Sequence, residues 1–170
     1  DLDCHVWDTV CKDLKRWNDQ ARQLCVSVNL SRLDIVKNPD VADHFNTLKE
    51  FYNLLPGQLR IEITESAYVE NSDTIIKTTT KLREAGFEVE MDDFGSGYSS
   101  LNMLKEVILD RIKLDLRFIT GSGDQKMGRT ILSYMVQMIH AIGTSIIAEG
   151  VETLEQADFL GSLGCEEMQG

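Results

Sequence analysis

A chain of 170 residues, 42% hydrophobic and 26% charged, has the composition of an ordinary globular protein, and one domain over 1–170 is the natural count. Seventeen basic residues against 28 acidic ones leave a formal charge of −11, which excludes a broad electrostatic grip on DNA or RNA. No run approaches the roughly 18 apolar residues that span a bilayer, and no signal-peptide pattern opens the chain, so a cytoplasmic domain without membrane contact of its own is expected.

Hydrophobic periodicity predicts an amphipathic helix over 3–20, a strand over 24–30, a helix over 39–54 with Pro39 in its first turn, and a strand over 58–64. A helix over 71–85 ended by Gly86, a strand over 87–92 and a short helix after the glycine turn at 95–97 follow. The chain continues with a strand over 111–116, a helix over 126–142 ended by Gly143, a strand over 145–149, a helix over 153–163 and a short strand near 165–169. Strands that alternate with helices imply a parallel sheet, because parallel neighbours need a long crossover.

The strands have two unlike faces. Leu59, Ile61 and Ile63 alternate with Arg60, Glu62 and Thr64; Phe87, Val89 and Met91 with Glu88, Glu90 and Asp92; Ile112 and Leu114 with Arg111, Lys113 and Asp115. A doubly wound open sheet is covered by helices on both faces and should be apolar on both. A closed α/β barrel turns one face to the helices and the other to its interior, so a TIM-type (β/α) barrel is the expected fold class.

Four cysteines, Cys4, Cys11, Cys25 and Cys165, show no C-x-x-C pair and no zinc spacing, and read as reduced, packed thiols. His5, His44 and His140 lie in helical segments away from other chemical features and read as structural or exposed. Trp7 and Trp17 fit the apolar stripe of the opening helix.

Asn29, Glu62, Asp92, Asp93, Lys113, Glu149 and Gln169 all fall at or near the C-terminal ends of their strands, the rim on which barrel active sites are built. Gly95, Gly97 and Gly150 adjoin these ends and supply backbone freedom. Oxygen ligands without histidine or thiolate suit a hard cation, Mg²⁺ or Mn²⁺. The adjacent aspartates allow Asp92 to bridge two ions about 3.5–4 Å apart, an arrangement used in phosphodiester displacement. The competing reading is a satisfied polar core in which the carboxylates do no more than neutralise Arg60, Arg111 and Lys113.

The segments 26–31 (VSVNLS), 61–66 (IEITES), 91–101 (MDDFGSGYSSL), 112–115 (IKLD), 148–153 (AEGVET) and 169–170 (QG), in this order, resemble the successive signatures of the EAL family. The resemblance covers nearly the whole chain. It implies a TIM-type barrel that cleaves cyclic di-GMP to linear pGpG with two Mg²⁺ or Mn²⁺ ions. Asn29, Glu62 and Asp92 then match ligands of the first ion, and Asp92 and Asp93, with Glu149, ligands of the second. Lys113 matches the residue that positions the attacking water, and Glu149 a general base or a second-ion ligand. Glu65 matches the anchor of the loop from Asp93 to Ser99. Asp115 and Gln169 match residues that contact substrate or support the site, and Glu152 a structural carboxylate. Family analogy also implies a homodimer formed through the helix over 99–106, and sensor or cyclase domains in a parent chain that is in some cases membrane-anchored.

The Glu-Ala-Leu segment that names the family is absent, as are the family's last helix and closing loop. A barrel of this kind takes about 250 residues, so the expected barrel is incomplete at both ends. The absent glutamate is a first-ion ligand in the family, and the absent strand also carries an arginine that contacts substrate. Three readings follow: an active phosphodiesterase, a non-catalytic cyclic di-GMP receptor, and an interaction module that has lost the nucleotide. Intact Glu62, Asp92, Asp93, Lys113 and Glu149 favour the first, since a receptor does not need to activate water.

Overall fold

Six strands, each apolar on one parity, form a single parallel sheet in the order β1 to β6 in the computed structural model, which describes residues 2–70, 72–95, 100–116 and 125–170. The strands are β1 (Val26–Asn29), β2 (Leu59–Thr64), β3 (Glu88–Phe94), β4 (Arg111–Asp115), β5 (Ser145–Glu149) and β6 (Glu167–Gln169). The described helices are α1 (Leu2–Asp19), α2 (Arg32–Lys37), α3 (Val41–Tyr52), α4 (Glu65–Glu70), α5 (Ser72–Glu84), α6 (Ser100–Glu106), α7 (Gln125–Ala141) and α8 (Leu154–Ser162). Every strand pairs in parallel with its neighbour in sequence, as helical crossovers require.

The apolar parity faces the helices. Ile61, Ile63, Val89, Met91, Ile112 and Ala148 are fully buried there and join the core with Trp7, Leu14, Phe45, Ile75 and Leu82 from the helices. The other parity faces inward across a curved sheet. Arg60 on β2 reaches Glu167 on β6 at 3.3 Å. Four strand spacings in a flat sheet would separate those strands by about 19 Å, beyond the reach of two side chains, so the sheet curls around its polar face. The result is an incomplete TIM-type barrel.

This interior holds a charged layer near the strand starts. Arg60 lies 3.1 Å from Glu88 and 3.4 Å from Glu90, Arg111 lies 3.1 Å from Glu88, and Arg111 also pairs with Glu167. Glu90 is fully buried and accepts a 2.7 Å hydrogen bond from the Ser27 hydroxyl. Each ion here is costly to desolvate, so the network is tolerable only because several partners share the charge.

Several expectations need correction. The first strand spans Val26–Asn29 rather than 24–30, which leaves Cys25 exposed and unpacked; all four thiols are free. Pro39 precedes the N-cap Asp40 of α3 instead of occupying its first turn, because the turn at Asn38 to Asp40 comes before helical backbone begins at Val41. Helix α2 was not expected; Ser31 and Asp34 form a capping box that starts it two residues after β1 ends. Helical backbone also follows β2 directly, as α4, where no helix before 71 was predicted. Residues 96–99, including part of the glycine turn, lie outside the described residues. No described helix is long and apolar enough to cross a membrane.

Candidate active site

At the C-terminal ends of the strands a second charged layer converges on one ammonium. Lys113 Nζ on β4 lies 2.7 Å from Glu149 Oε1 on β5, 3.1 Å from Glu62 Oε1 on β2 and 3.5 Å from Asp92 Oδ1 on β3. Lys113 is buried, and each carboxylate is largely withdrawn from solvent. Burial alone would depress the lysine pKa. Hydrogen bonds from Lys113 to Glu149 and Glu62, with the charges of Glu62 and Asp92, outweigh burial and hold the pKa above its ordinary value, so Lys113 is a cation at neutral pH.

Asn29 stands in register with Glu62 on the neighbouring strand, so both point to the same face. Asp115, Glu149 and Gln169 are likewise in register across β4, β5 and β6. Glu149 is followed by Gly150 at φ 72°, where the chain leaves the strand in a conformation that disfavours other residues. Glu152 is exposed beyond that turn, and its backbone N–H donates to Gln156 Oε1 at 2.7 Å.

The Asp92-Asp93 pair sits in a β-bulge. Met91 pairs with Ile112 and Phe94 with Leu114, so β3 carries one residue more than β4 between these pairs. Asp93, at φ 56°, absorbs the extra residue in a left-handed conformation that aspartate tolerates better than most. Met91 and Phe94 can therefore both be buried among the helices, although strict alternation would put them on opposite faces. Asp92 keeps its inward direction, Asp93 is exposed at the rim, and the Asp93 N–H donates to Asp92 Oδ1 at 2.9 Å.

The EAL domain model matches residues 1–170. The chain belongs to the EAL domain family. Over 166 residues the chain is 34% identical to the bifunctional diguanylate cyclase/cyclic di-GMP phosphodiesterase MucR of Pseudomonas aeruginosa, covering 97% of this chain and 24% of MucR. The PaMucR phosphodiesterase in its c-di-GMP complex superposes with a TM-score of 0.87 at 32% identity, over 98% of this chain and 68% of that one. The manganese/cy-diGMP complex of Klebsiella pneumoniae BlrP1 superposes with a TM-score of 0.84 at 31% identity, over 99% of this chain and 42% of that one. This EAL domain spans about a quarter of the length of the curated relatives it matches.

In this EAL domain Glu65 is one of the most deeply buried carboxylates, 1% exposed at the start of α4. Its Oε2 accepts from the Gly95 N–H at 3.0 Å, across 30 residues, and so fixes the chain just after the bulge. Among the described residues no three His, Cys, Asp or Glu side chains are grouped as a ready ligand cluster, and Glu62, Asp92 and Glu149 each lie against Lys113. The lower layer of Arg60, Glu88, Glu90, Arg111 and Glu167 was legible as polar parity but not as a network separate from the rim. Arg60 and Arg111 thus neutralise the lower carboxylates, and of the three basic residues only Lys113 meets the rim acids.

Proposed function

We propose that the protein carrying this EAL domain hydrolyses cyclic di-GMP to linear pGpG in a reaction dependent on a divalent ion. The observation that carries the reading is the meeting of Glu62, Asp92 and Glu149, from three strands, at Lys113 on the rim. The donor set fits a hard cation: it offers carboxylate and amide oxygens only, and three carboxylates against one ammonium leave negative charge in excess. In this reading Asn29, Glu62 and Asp92 would hold one Mg²⁺ or Mn²⁺, and Asp92 and Asp93 would help to hold a second.

Bound divalent ions supply the positive field that the two phosphates require and make a water more acidic. The chain's own residues do the positioning. Lys113 donates a hydrogen bond to the water and steadies its oxygen opposite the leaving group. Glu149, the carboxylate nearest Lys113, takes the water's proton. The water oxygen bonds to phosphorus, the bond from phosphorus to a ribose 3′-oxygen breaks, and that oxygen takes a proton from solvent while Glu149 releases to solvent the one it accepted. Asp115, Gln169 and Glu152 contact substrate or support this rim.

The same reading places the domain in the cytoplasm, beside sensor or cyclase domains, as a homodimer joined through α6. Exposed Leu101 on α6 and Ile108 just beyond it support that contact. The test uses the full-length protein with cyclic di-GMP and Mg²⁺ or Mn²⁺, followed by chromatography. Conversion to pGpG, lost in Glu149→Ala while nucleotide binding persists, is expected. Tight binding without turnover in either metal would establish the receptor reading instead, and loss of both would leave an interaction module.

A further inference from the structure

Asn29 is the exposed last residue of β1, and its backbone is held from an unexpected side. Val26 N–H donates to Gln58 O and Leu30 N–H to Glu62 O, both at 2.8 Å, so the even-numbered residues of β1 face β2. In a parallel ladder the residues between them turn their peptide groups to the opposite edge. The Asn29 carbonyl is therefore not offered to β2. It accepts instead a 3.0 Å hydrogen bond from the indole N–H of Trp7, 22 residues earlier on α1.

Trp7 is well placed to hold that carbonyl still. It is 2% exposed, its ring lies 4.6 Å from Phe45 and 6.0 Å from His44, and α1 packs against α3 and β1. On the other side of Asn29, Leu30 is bonded to Glu62, and the capping box of Ser31 and Asp34 starts α2. The peptide plane of Asn29 is thus fixed from both sides, and its side chain is in register with Glu62, which touches Lys113.

We infer that Trp7 is a positioning residue: through its N–H on the Asn29 carbonyl it aims the Asn29 amide oxygen at the divalent-ion site. This rests on the ion-dependent reading above. A buried indole N–H that merely needs an acceptor would support stability alone. A partner that orients a ligand changes ion affinity, commonly by tenfold or more.

The experiment measures Mn²⁺ binding by calorimetry, without nucleotide, together with melting temperature, in the full-length protein. The variants are wild type, Trp7→Phe, Asn29→Ala and the double variant. Replacing Trp7 by β-(3-benzothienyl)alanine, which keeps the bicyclic ring and exchanges N–H for sulfur, covers the case in which Trp7→Phe folds poorly. Removing the N–H should weaken Mn²⁺ binding by roughly tenfold. It should add nothing once Asn29 is alanine, because the two changes then act on one ligand. Unchanged affinity in both Trp7 variants, or an equal loss in the Asn29→Ala background, overturns the inference while wild-type binding leaves the ion-dependent reading standing. Wild-type protein that binds no Mn²⁺ overturns both.

Discussion

At the scale of single residues, Glu65 shows how burial changes what a carboxylate does. At the end of a strand it could have been a surface acid; at 1% exposure its work is to accept the Gly95 N–H. Gly95 adopts φ 94° two residues after the left-handed Asp93 at φ 56°, so unusual backbone conformations flank Phe94 on both sides and need a fixed partner. Glu65→Ala leaves a buried donor unsatisfied, which should cost about 1–3 kcal/mol in urea unfolding. Because the bulge sets where Asp92 and Asp93 lie, the same variant should lose turnover more than nucleotide binding. Glu65→Gln keeps an acceptor oxygen and should recover most of the stability. Equal losses in turnover and binding would argue that Glu65 acts on the fold as a whole.

Between elements, Tyr68 on α4 donates to Glu106 Oε2 on α6 at 2.5 Å, tying the helix that starts with Glu65 to the helix that follows the DDFG turn. That hydrogen bond, with burial, pushes the Tyr68 pKa up to about 12. A raised tyrosine pKa means that the neutral form is favoured in the folded state. The contribution is therefore complete below the ordinary value of 10.0 and is lost as pH rises through about 12. Tyr68→Phe should cost about 1 kcal/mol at neutral pH, toward the low end for a charged acceptor because Glu106 is exposed. The gap between variant and wild type should narrow above pH 10.0. A gap independent of pH, measured by denaturant unfolding, would assign the loss to packing and not to the hydroxyl.

For the whole molecule, the barrel interior is built as two charged layers, arginines with glutamates below and Lys113 with acids above. Glu90 belongs to the lower layer, yet it stands in register with Glu62 of the upper one. Burial pushes its pKa up; the Ser27 hydroxyl and the charges of Arg60 and Arg111 oppose the shift, and Glu62 adds to it. A carboxylic acid whose pKa is raised on folding binds its proton more tightly in the folded state. Its contribution to stability therefore falls as pH rises from the ordinary value of 4.5 through the raised one. Glu90→Gln does not titrate, so the melting temperature of wild type should decline relative to this variant across that window. Parallel curves would show that the arginines compensate fully for burial.

What the sequence determined by itself was whatever depends on neighbours along the chain. The two-residue alternation of Leu59 to Thr64 and Phe87 to Asp92 follows from the pleat, and with helical crossovers it implied a parallel barrel with a charged interior. The position of Glu62 and Glu149 near the ends of their strands was legible for the same reason, whereas Lys113, expected there too, is the central residue of β4 and reaches the rim with its long side chain. Tertiary structure alone decided which of these groups meet. Lys113 gathers the rim acids while Arg60 crosses to Glu167, 107 residues away, because curvature and strand tilt set distances across the lumen that no local pattern encodes. The bulge at Asp93 became visible only when β4 was paired beside β3, and the grip of Trp7 on Asn29 only when α1 was laid against β1, since both depend on registers between elements rather than along one.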